Sequence, residues 1–229
     1  VHNKQSIPFW GIKPEDCWLA VYNSAWVRKF LHEEGKWQAK REFLLYPPVM
    51  YDQYTIPPEE DTQKSHVTLV NLGMNKGILT FVQAAKMLPD VPFLGVVGAY
   101  SDQHTEGLPK NVTVVQHTTN MLEDVYKKTK VVIMPSNKET WGMCAIEGFC
   151  SGIPCVAHPT EGLVEACGSA GLFAHRNKAF VWQELLQRLL TDQAFYENQS
   201  ALCRARAKEL SALAEVQLAD LEKIIASDE

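Results

Sequence analysis

Nowhere does this 229-residue chain run apolar and uncharged for the roughly 18 to 20 residues that a bilayer-spanning helix needs. A basic, then apolar, then small-residue leader is missing from the first residues as well. The expectation is a cytoplasmic address, with a peripheral place at a membrane surface left open. No two cysteines stand at Cys-x-x-Cys spacing; Cys17, Cys144, Cys150, Cys155, Cys167 and Cys203 are scattered, several inside apolar strand or helix patterns, and read as reduced, mostly buried thiols. The excess of positive charge that would draw a whole chain to nucleic acid is lacking too, since the formal net charge is -5. No Gly-x-Gly-x-x-Gly follows the first regular strand pattern, which disfavours a nicotinamide enzyme.

What the chain has is 46% apolar residues in a regular order. Short β-rich runs at 67–71, 93–97, 112–116, 131–134, 154–157 and 171–174 alternate with helical patterns at 78–88, 121–128, 142–150 and about 163–167. Nearly continuous apolar strands alternating with helices predict an α/β fold, a doubly wound parallel sheet covered on both faces. After His175 the pattern is helical throughout, with breaks expected between helices at 180–190, 193–210 and about 212–225. Upstream, the strand patterns 18–22 and 42–46 flank a helix at 25–34 that Ser24 caps and Gly35 closes. One or two such units do not make a sheet that stands alone. Residues 1–48 are therefore expected to be the tail of an amino-terminal domain, 49–65 an interdomain linker, and 66–229 the main domain.

The segment from Lys138 to Ala157 places Glu139 and Glu147 around Trp141-Gly142. In a doubly wound sheet, ligands bind beyond the carboxyl ends of the strands, where helix amino termini favour anions. Glu139 falls in the loop after the 131–134 strand. Glu147 falls in the second helical turn, beside the buried stripe Ile146, Phe149 and Cys150. Ionised carboxylates repel phosphate but accept two hydroxyl bonds each. A sugar nucleotide suits both halves, with phosphates for the amides of Gly142 and Met143 and hydroxyls for the carboxylates. The plainer alternative, a solvated loop glutamate and an exposed helix glutamate, stays open on spacing alone.

Several segments together carry a resemblance. Glu139-Thr-Trp-Gly-Met-Cys-Ala-Ile-Glu147 is similar to the E-x7-E signature of retaining glycosyltransferases of the two-domain GT-B fold, family 4 above all. Asn71-Leu-Gly-Met-Asn-Lys-Gly77 resembles that family's first donor loop, and Thr160-Glu-Gly-Leu-Val-Glu165 its Gly-Gly-x-x-Glu turn. Tyr22-Asn-Ser-Ala-Trp-Val-Arg28 and Tyr46-Pro-Pro-Val49 resemble the end of the acceptor domain and the interdomain crossing, and all these motifs stand in the family's order.

The resemblance implies a retaining, metal-independent glycosyltransferase whose main part is the carboxyl-terminal donor-binding half of the fold. Glu147 would bind ribose hydroxyls, Glu139 the transferred sugar, and Lys76 the diphosphate leaving group. Gly142 and Met143 would donate amides to phosphate, Trp141, Asn71 and Gly73 would contribute to the donor pocket, and Gln116, His117 and Thr118 would lie along the base. Val1-His2-Asn3 resembles a segment that reaches the reaction centre in glycogen synthases and their relatives, which makes His2 a catalytic candidate beside the blander reading of a frayed terminal histidine. No Asp-x-Asp motif is present, so no metal is expected; the donor would be a UDP- or GDP-sugar and the acceptor a saccharide, lipid or protein-linked glycan. Two departures stand out: the first donor loop has no arginine near Asn71 or Leu72, and Glu161, where the family commonly has glycine, is expected to add charge beside the sugar. A second function class remains, a non-catalytic or partner-dependent nucleotide-sugar-binding module, its missing amino-terminal domain lying upstream or on a partner chain. A GT-B relative with other chemistry, an epimerase or a phosphorylase, ranks below both.

Other conspicuous residues are expected to be plain. His158 reads as a pocket-wall or turn residue, Trp26, Trp37 and Trp182 as packing, and the basic run from Arg204 to Lys208 as a solvated helix face.

Overall fold

Strand 129–134, Thr-Lys-Val-Val-Ile-Met, shows how the sheet is built: Val131 and Ile133 face one hydrophobic layer, Val132 and Met134 the other, and all but Met134, at 8%, are at most 1% exposed. A strand buried on both faces needs helices on both, which is the condition for a parallel sheet. The computed structural model describes residues 12–60 and 64–227. Its main sheet comprises β3 (His66–Val70), β4 (Phe93–Val96), β5 (Val112–Val115), β6 (Thr129–Met134), β7 (Cys155–Ala157) and β8 (Leu172–Phe173). They lie in the order β5-β4-β3-β6-β7-β8, every pair parallel.

That order reverses between β3 and β6: the chain grows outward from β3 to β5, then crosses back and grows the other way. The crevice at such a switch point is where a doubly wound sheet binds ligands. The loops after β3 and β6, residues 71–77 and 135–142, are thereby brought side by side, and the Asn137 N–H donates to the Asn75 carbonyl at 3.0 Å.

The preceding unit is a two-stranded parallel sheet of β1 (Ala20–Tyr22) and β2 (Glu42–Leu44), with α1 (Ala25–Glu33) packed on it through Tyr22, Val27, Leu31 and Trp37. Ser24 caps α1 as expected, its hydroxyl accepting from the Val27 N–H. The segment that follows is docked: Val49 and Ile56 are each 4% exposed, and the Ile56 N–H donates to Ser151 Oγ at 2.9 Å.

Helices α2 (Ile78–Met87), α3 (Met121–Asp124), α4 (Met143–Cys150), α5 (Glu161–Cys167), α6 (Ala179–Thr191) and α7 (Gln193–Ala226) complete the chain. Three expectations are corrected. The helix expected at 121–128 stops at Asp124 and continues as a tight 3-10 turn, Tyr126–Lys128, because Val125 leaves helical geometry as it and Tyr126 bury completely. The two last helices are one of 34 residues, since no glycine or proline interrupts 193–226. The Arg204 to Lys208 run is not a uniformly solvated face. Arg206 donates to the Ala166 and Glu165 carbonyls at 3.0 and 2.8 Å, and Arg204 donates to the Ser151 carbonyl at 3.3 Å. Both cap helix carboxyl termini, where orphan carbonyls favour cations. The three tryptophans do pack, Trp182 being fully buried. Among the described residues no helix is long and apolar enough to cross a membrane.

Candidate functional site

A cavity of about 490 Å³ opens at the carboxyl ends of β3, β4 and β6, at the switch point. Its walls include Lys76, Glu139, Glu147, Asn71, Trp141, Gly142, Met143, His117 and Thr118, which the sequence places up to 76 positions apart and the sheet order gathers. Of the remaining expected residues, Gly73 and Gln116 lie outside this lining, and His2 lies outside the described residues.

The two glutamates have different settings. Glu139, in the β6–α4 loop, is ion-paired with Lys76, and the Ser136 hydroxyl donates to the same Glu139 oxygen at 3.0 Å. Both partners are largely shielded, at 16% and 13% side-chain exposure. Burial pulls the Lys76 ammonium down, while the Glu139 carboxylate and the Tyr100 phenol push it up; the balance lies above the ordinary lysine range. Lys76 is therefore charged, and its charge is compensated by Glu139 within the site.

Glu147 sits one residue past the buried Ile146 on α4, and its Oε2 accepts from the Tyr126 hydroxyl at 2.5 Å. Burial raises its pKa above the ordinary carboxylate value, against the opposing pull of the Tyr126 and Tyr54 hydroxyls. Neither glutamate is the solvated residue that the plainer alternative envisaged. Cys144, half-buried beside them, has its thiol pushed up to about 12 by burial and then by Glu147 and Glu139, so it is an unreactive wall.

Gly142 starts α4 with φ 121°, and a Cβ there would stand 2.5 Å from Leu163. Only glycine lets the chain turn this tightly from the loop into a helix whose first residues line the cavity. The loop of residues 71–77 is held by a network that sequence reading missed. Asn71, left-handed at φ 72°, accepts from the Gly73 N–H at 3.0 Å and from Gln103 Nε2 at 2.9 Å, while Gln103 Oε1 accepts from the N–H groups of Leu72 and Gly98 at 2.8 Å each. Asn71 thus shapes the loop that carries Lys76, and its side-chain oxygen is taken up by that task. Thr118, just before α3, is similarly occupied, donating to Asp124 at the end of that helix at 2.5 Å. Trp141 is 2% exposed and stacked on Tyr46, ring centroids 4.5 Å apart.

Glu161 is corrected. Its side chain is exposed and lies outside the cavity lining. The close approach belongs to Gly162, where a Cβ would stand 2.4 Å from the Glu139 carbonyl oxygen. Glu165, three residues on, accepts from the Ala25 and Trp26 N–H groups at 2.7 and 2.8 Å, a bidentate cap that ties α1 to the main domain. Asn23, beside it, donates to Thr140 at 3.1 Å and lines the cavity. His158 stands 5.3 Å from His175, outside the lining. Among the described residues no group of three or more His, Cys, Asp or Glu is placed to hold a metal ion.

Residues 55–209, more than half the chain, match the family model described as Glycosyl transferases group 1. The chain belongs to that family. Other members of the group 1 glycosyltransferases resemble it in part. The D-inositol 3-phosphate glycosyltransferase of Mycobacteroides abscessus is 28% identical over 159 residues, 63% of this chain and 36% of that protein. Its counterpart from Corynebacterium aurimucosum is 37% identical over 70 residues, 30% of this chain and 17% of that protein. The chain spans between 16% and 36% of the length of the curated relatives it matches. In fold it is similar to Anabaena HepE, crystallised in complex with UDP-glucose (TM-score 0.75, 16% identity, 90% of this chain and 64% of that one). It is likewise similar to the sucrose-phosphate synthase of Thermosynechococcus elongatus (TM-score 0.77, 20% identity, 92% and 59%). These likenesses agree with the α/β, GT-B reading of the sequence.

Proposed function

We propose that this chain is the donor-binding part of a retaining glycosyltransferase that moves a sugar from a nucleoside diphosphate to an acceptor hydroxyl without a metal ion. The observation that carries the proposal is the convergence of Lys76, Glu139, Glu147 and the amino terminus of α4 on one cavity at the switch point. A nucleotide sugar matches that set group for group. The α4 amides of Gly142 and Met143 take phosphate oxygens, Glu147 takes ribose hydroxyls, and the base lies by His117 and Thr118. UDP is the first nucleotide to test, because the HepE structure holds UDP-glucose, and GDP the second.

The Lys76–Glu139 pair gives the mechanism a definite first step. Donor binding would open it: the diphosphate takes the ammonium, and the hydroxyls of the transferred sugar take the carboxylate. As the anomeric carbon–oxygen bond breaks, its electron pair goes to the departing phosphate, and Lys76 together with the helix terminus stabilises the developing charge. Attack from the leaving-group side lets that phosphate oxygen accept the acceptor's proton, so retention needs no protein base. Transfer also needs a surface that orients the acceptor and excludes water. The two-stranded β1–β2 sheet supports the reading that this surface is built with further strands, from the same polypeptide or a partner chain.

The test is calorimetric titration with UDP and GDP, with magnesium and with EDTA. One of them should bind under both conditions, and Lys76→Ala should weaken it by about tenfold, the worth of one charge-assisted bond. If neither binds with or without magnesium, the donor site is wrongly assigned; if binding requires magnesium, the metal-free mechanism fails.

A further inference from the structure

Glu147 carries a problem that the donor reading leaves unsolved. A carboxylate pressed into an apolar helix face can fold back on the protein, take up a proton, or swing among three rotatable bonds, and each of these spoils its aim. Two tyrosines in contact with each other meet this problem. Tyr126, fully buried in the 3-10 turn before β6, donates to Oε2 at 2.5 Å, with its oxygen also 3.4 Å from the Cys144 carbonyl. Tyr54, from the turn Tyr51–Tyr54, meets the Tyr126 ring edge-on at 6.0 Å and 79°, and burial, followed by the charge of the same carboxylate, raises the pKa of its phenol.

Both rings are themselves pinned. The Ser151 hydroxyl at the end of α4 donates to the Tyr54 carbonyl and accepts from the Ile56 N–H, and Thr55 Oγ1 donates to the Tyr51 carbonyl at 2.8 Å. Behind Tyr126, Thr129 Oγ1 donates to the Val125 carbonyl at 2.8 Å and shares a 2.8 Å hydrogen bond with Thr68. An ionised carboxylate has about four lone-pair positions, and the Tyr126 phenol uses one of them. The rest remain for a ligand in the cavity that Glu147 lines.

We propose that Tyr126 and Tyr54 are positioning residues that aim the Glu147 carboxylate at the ribose edge of the bound nucleotide, and so set the site's preference for ribonucleotides over deoxyribonucleotides. The inference rests on the donor reading and extends it. The segment carrying Tyr54 becomes part of the nucleotide site, acting through Glu147 without touching the ligand. A tyrosine with a merely structural role would weaken ribo- and deoxyribonucleotides alike.

The experiment compares UDP with 2′-deoxy-UDP, and GDP with 2′-deoxy-GDP, by titration calorimetry on the wild type, Tyr126→Phe, Tyr54→Phe, Glu147→Gln and the Tyr126→Phe/Glu147→Gln pair. For whichever base binds, the wild type should prefer the ribonucleotide by about tenfold. Tyr126→Phe should bring that ratio below about threefold while changing deoxyribonucleotide affinity less than about twofold, and Tyr54→Phe should shift it part of the way. In the Glu147→Gln background the tyrosine change should have no further effect. Failure of every ribonucleotide to bind would overturn the donor reading. A wild-type ratio kept in Tyr126→Phe, or in Tyr54→Phe should the first variant not fold, would overturn the positioning role while leaving the donor site standing. An equal loss of ribo- and deoxyribonucleotide would do the same.

Discussion

Lys76 and Glu139, 63 positions apart in sequence, neutralise each other in a cavity where each side chain is less than one-fifth exposed. Removing either member of a shielded pair leaves the other charge uncompensated, and the two removals have opposite consequences for an anionic ligand. Lys76→Ala leaves a carboxylate facing the diphosphate. Glu139→Gln leaves an ammonium waiting for it. Bare nucleoside diphosphate should therefore bind about tenfold more weakly to the first variant and at least as tightly to the second. Sugar transfer, assayed with the completed acceptor side, should fall in both. A Glu139→Gln variant that loses nucleotide affinity as Lys76→Ala does would show that the pair does not open for the donor.

Glu147 predicts a pH-dependent stability. Its pKa is raised in the fold by burial, so the folded chain holds this proton at a pH where the unfolded chain has lost it. The sign follows from linkage: Glu147 disfavours folding above its folded pKa and ceases to do so as the pH drops below the unfolded value. Melting curves of Glu147→Gln and wild type should accordingly diverge in favour of the variant as the pH rises above the ordinary carboxylate value of about 4. A gap that does not change with pH would mean that the carboxylate is not strained by its burial.

Glu165→Ala removes both acceptors that hold the first N–H groups of α1. The loss should be about 1 to 3 kcal/mol, visible as a melting temperature lowered by several degrees. Nucleotide affinity should hardly move, since Glu165 is outside the cavity lining. Unchanged melting would indicate that solvent caps α1 equally well.

Gly162→Ala sets a methyl group against the Glu139–Thr140 peptide, a backbone neighbour that cannot rotate away. The overpacking should cost about 1 to 3 kcal/mol of stability. By displacing Glu139 it should weaken the sugar nucleotide more than the bare nucleotide, measured on the same preparation. Equal affinities for both ligands would detach the turn from the sugar subsite.

The strands, the buried stripe Ile146, Phe149 and Cys150, and the Ser24 cap were legible in the sequence. All rest on periodicity or on side chains within a few residues of the backbone they serve. The two glutamates were legible as a pair, and Lys76 as their neighbour, through motif order. Tyr54 and Tyr126 were not, because a tyrosine inside an apolar pattern gives no local sign of where its hydroxyl ends. The same holds for Arg204 and Arg206, whose spacing on a helix resembles that of any solvated basic face.

By itself, then, the order of residues determined the α/β alternation, the start of α4 at a glycine and the residue types gathered near it, since these are local consequences of backbone and side-chain chemistry. Tertiary structure alone decided that Lys76 spends its charge on Glu139, that Glu147 is held by the Tyr126 phenol, and that Glu165 caps a helix 140 positions away. Each of those contacts depends on β3 lying beside β6 and on α5 meeting α1. Strand order and helix docking come from burying two sheet faces at once, a global condition that no local window of the chain contains.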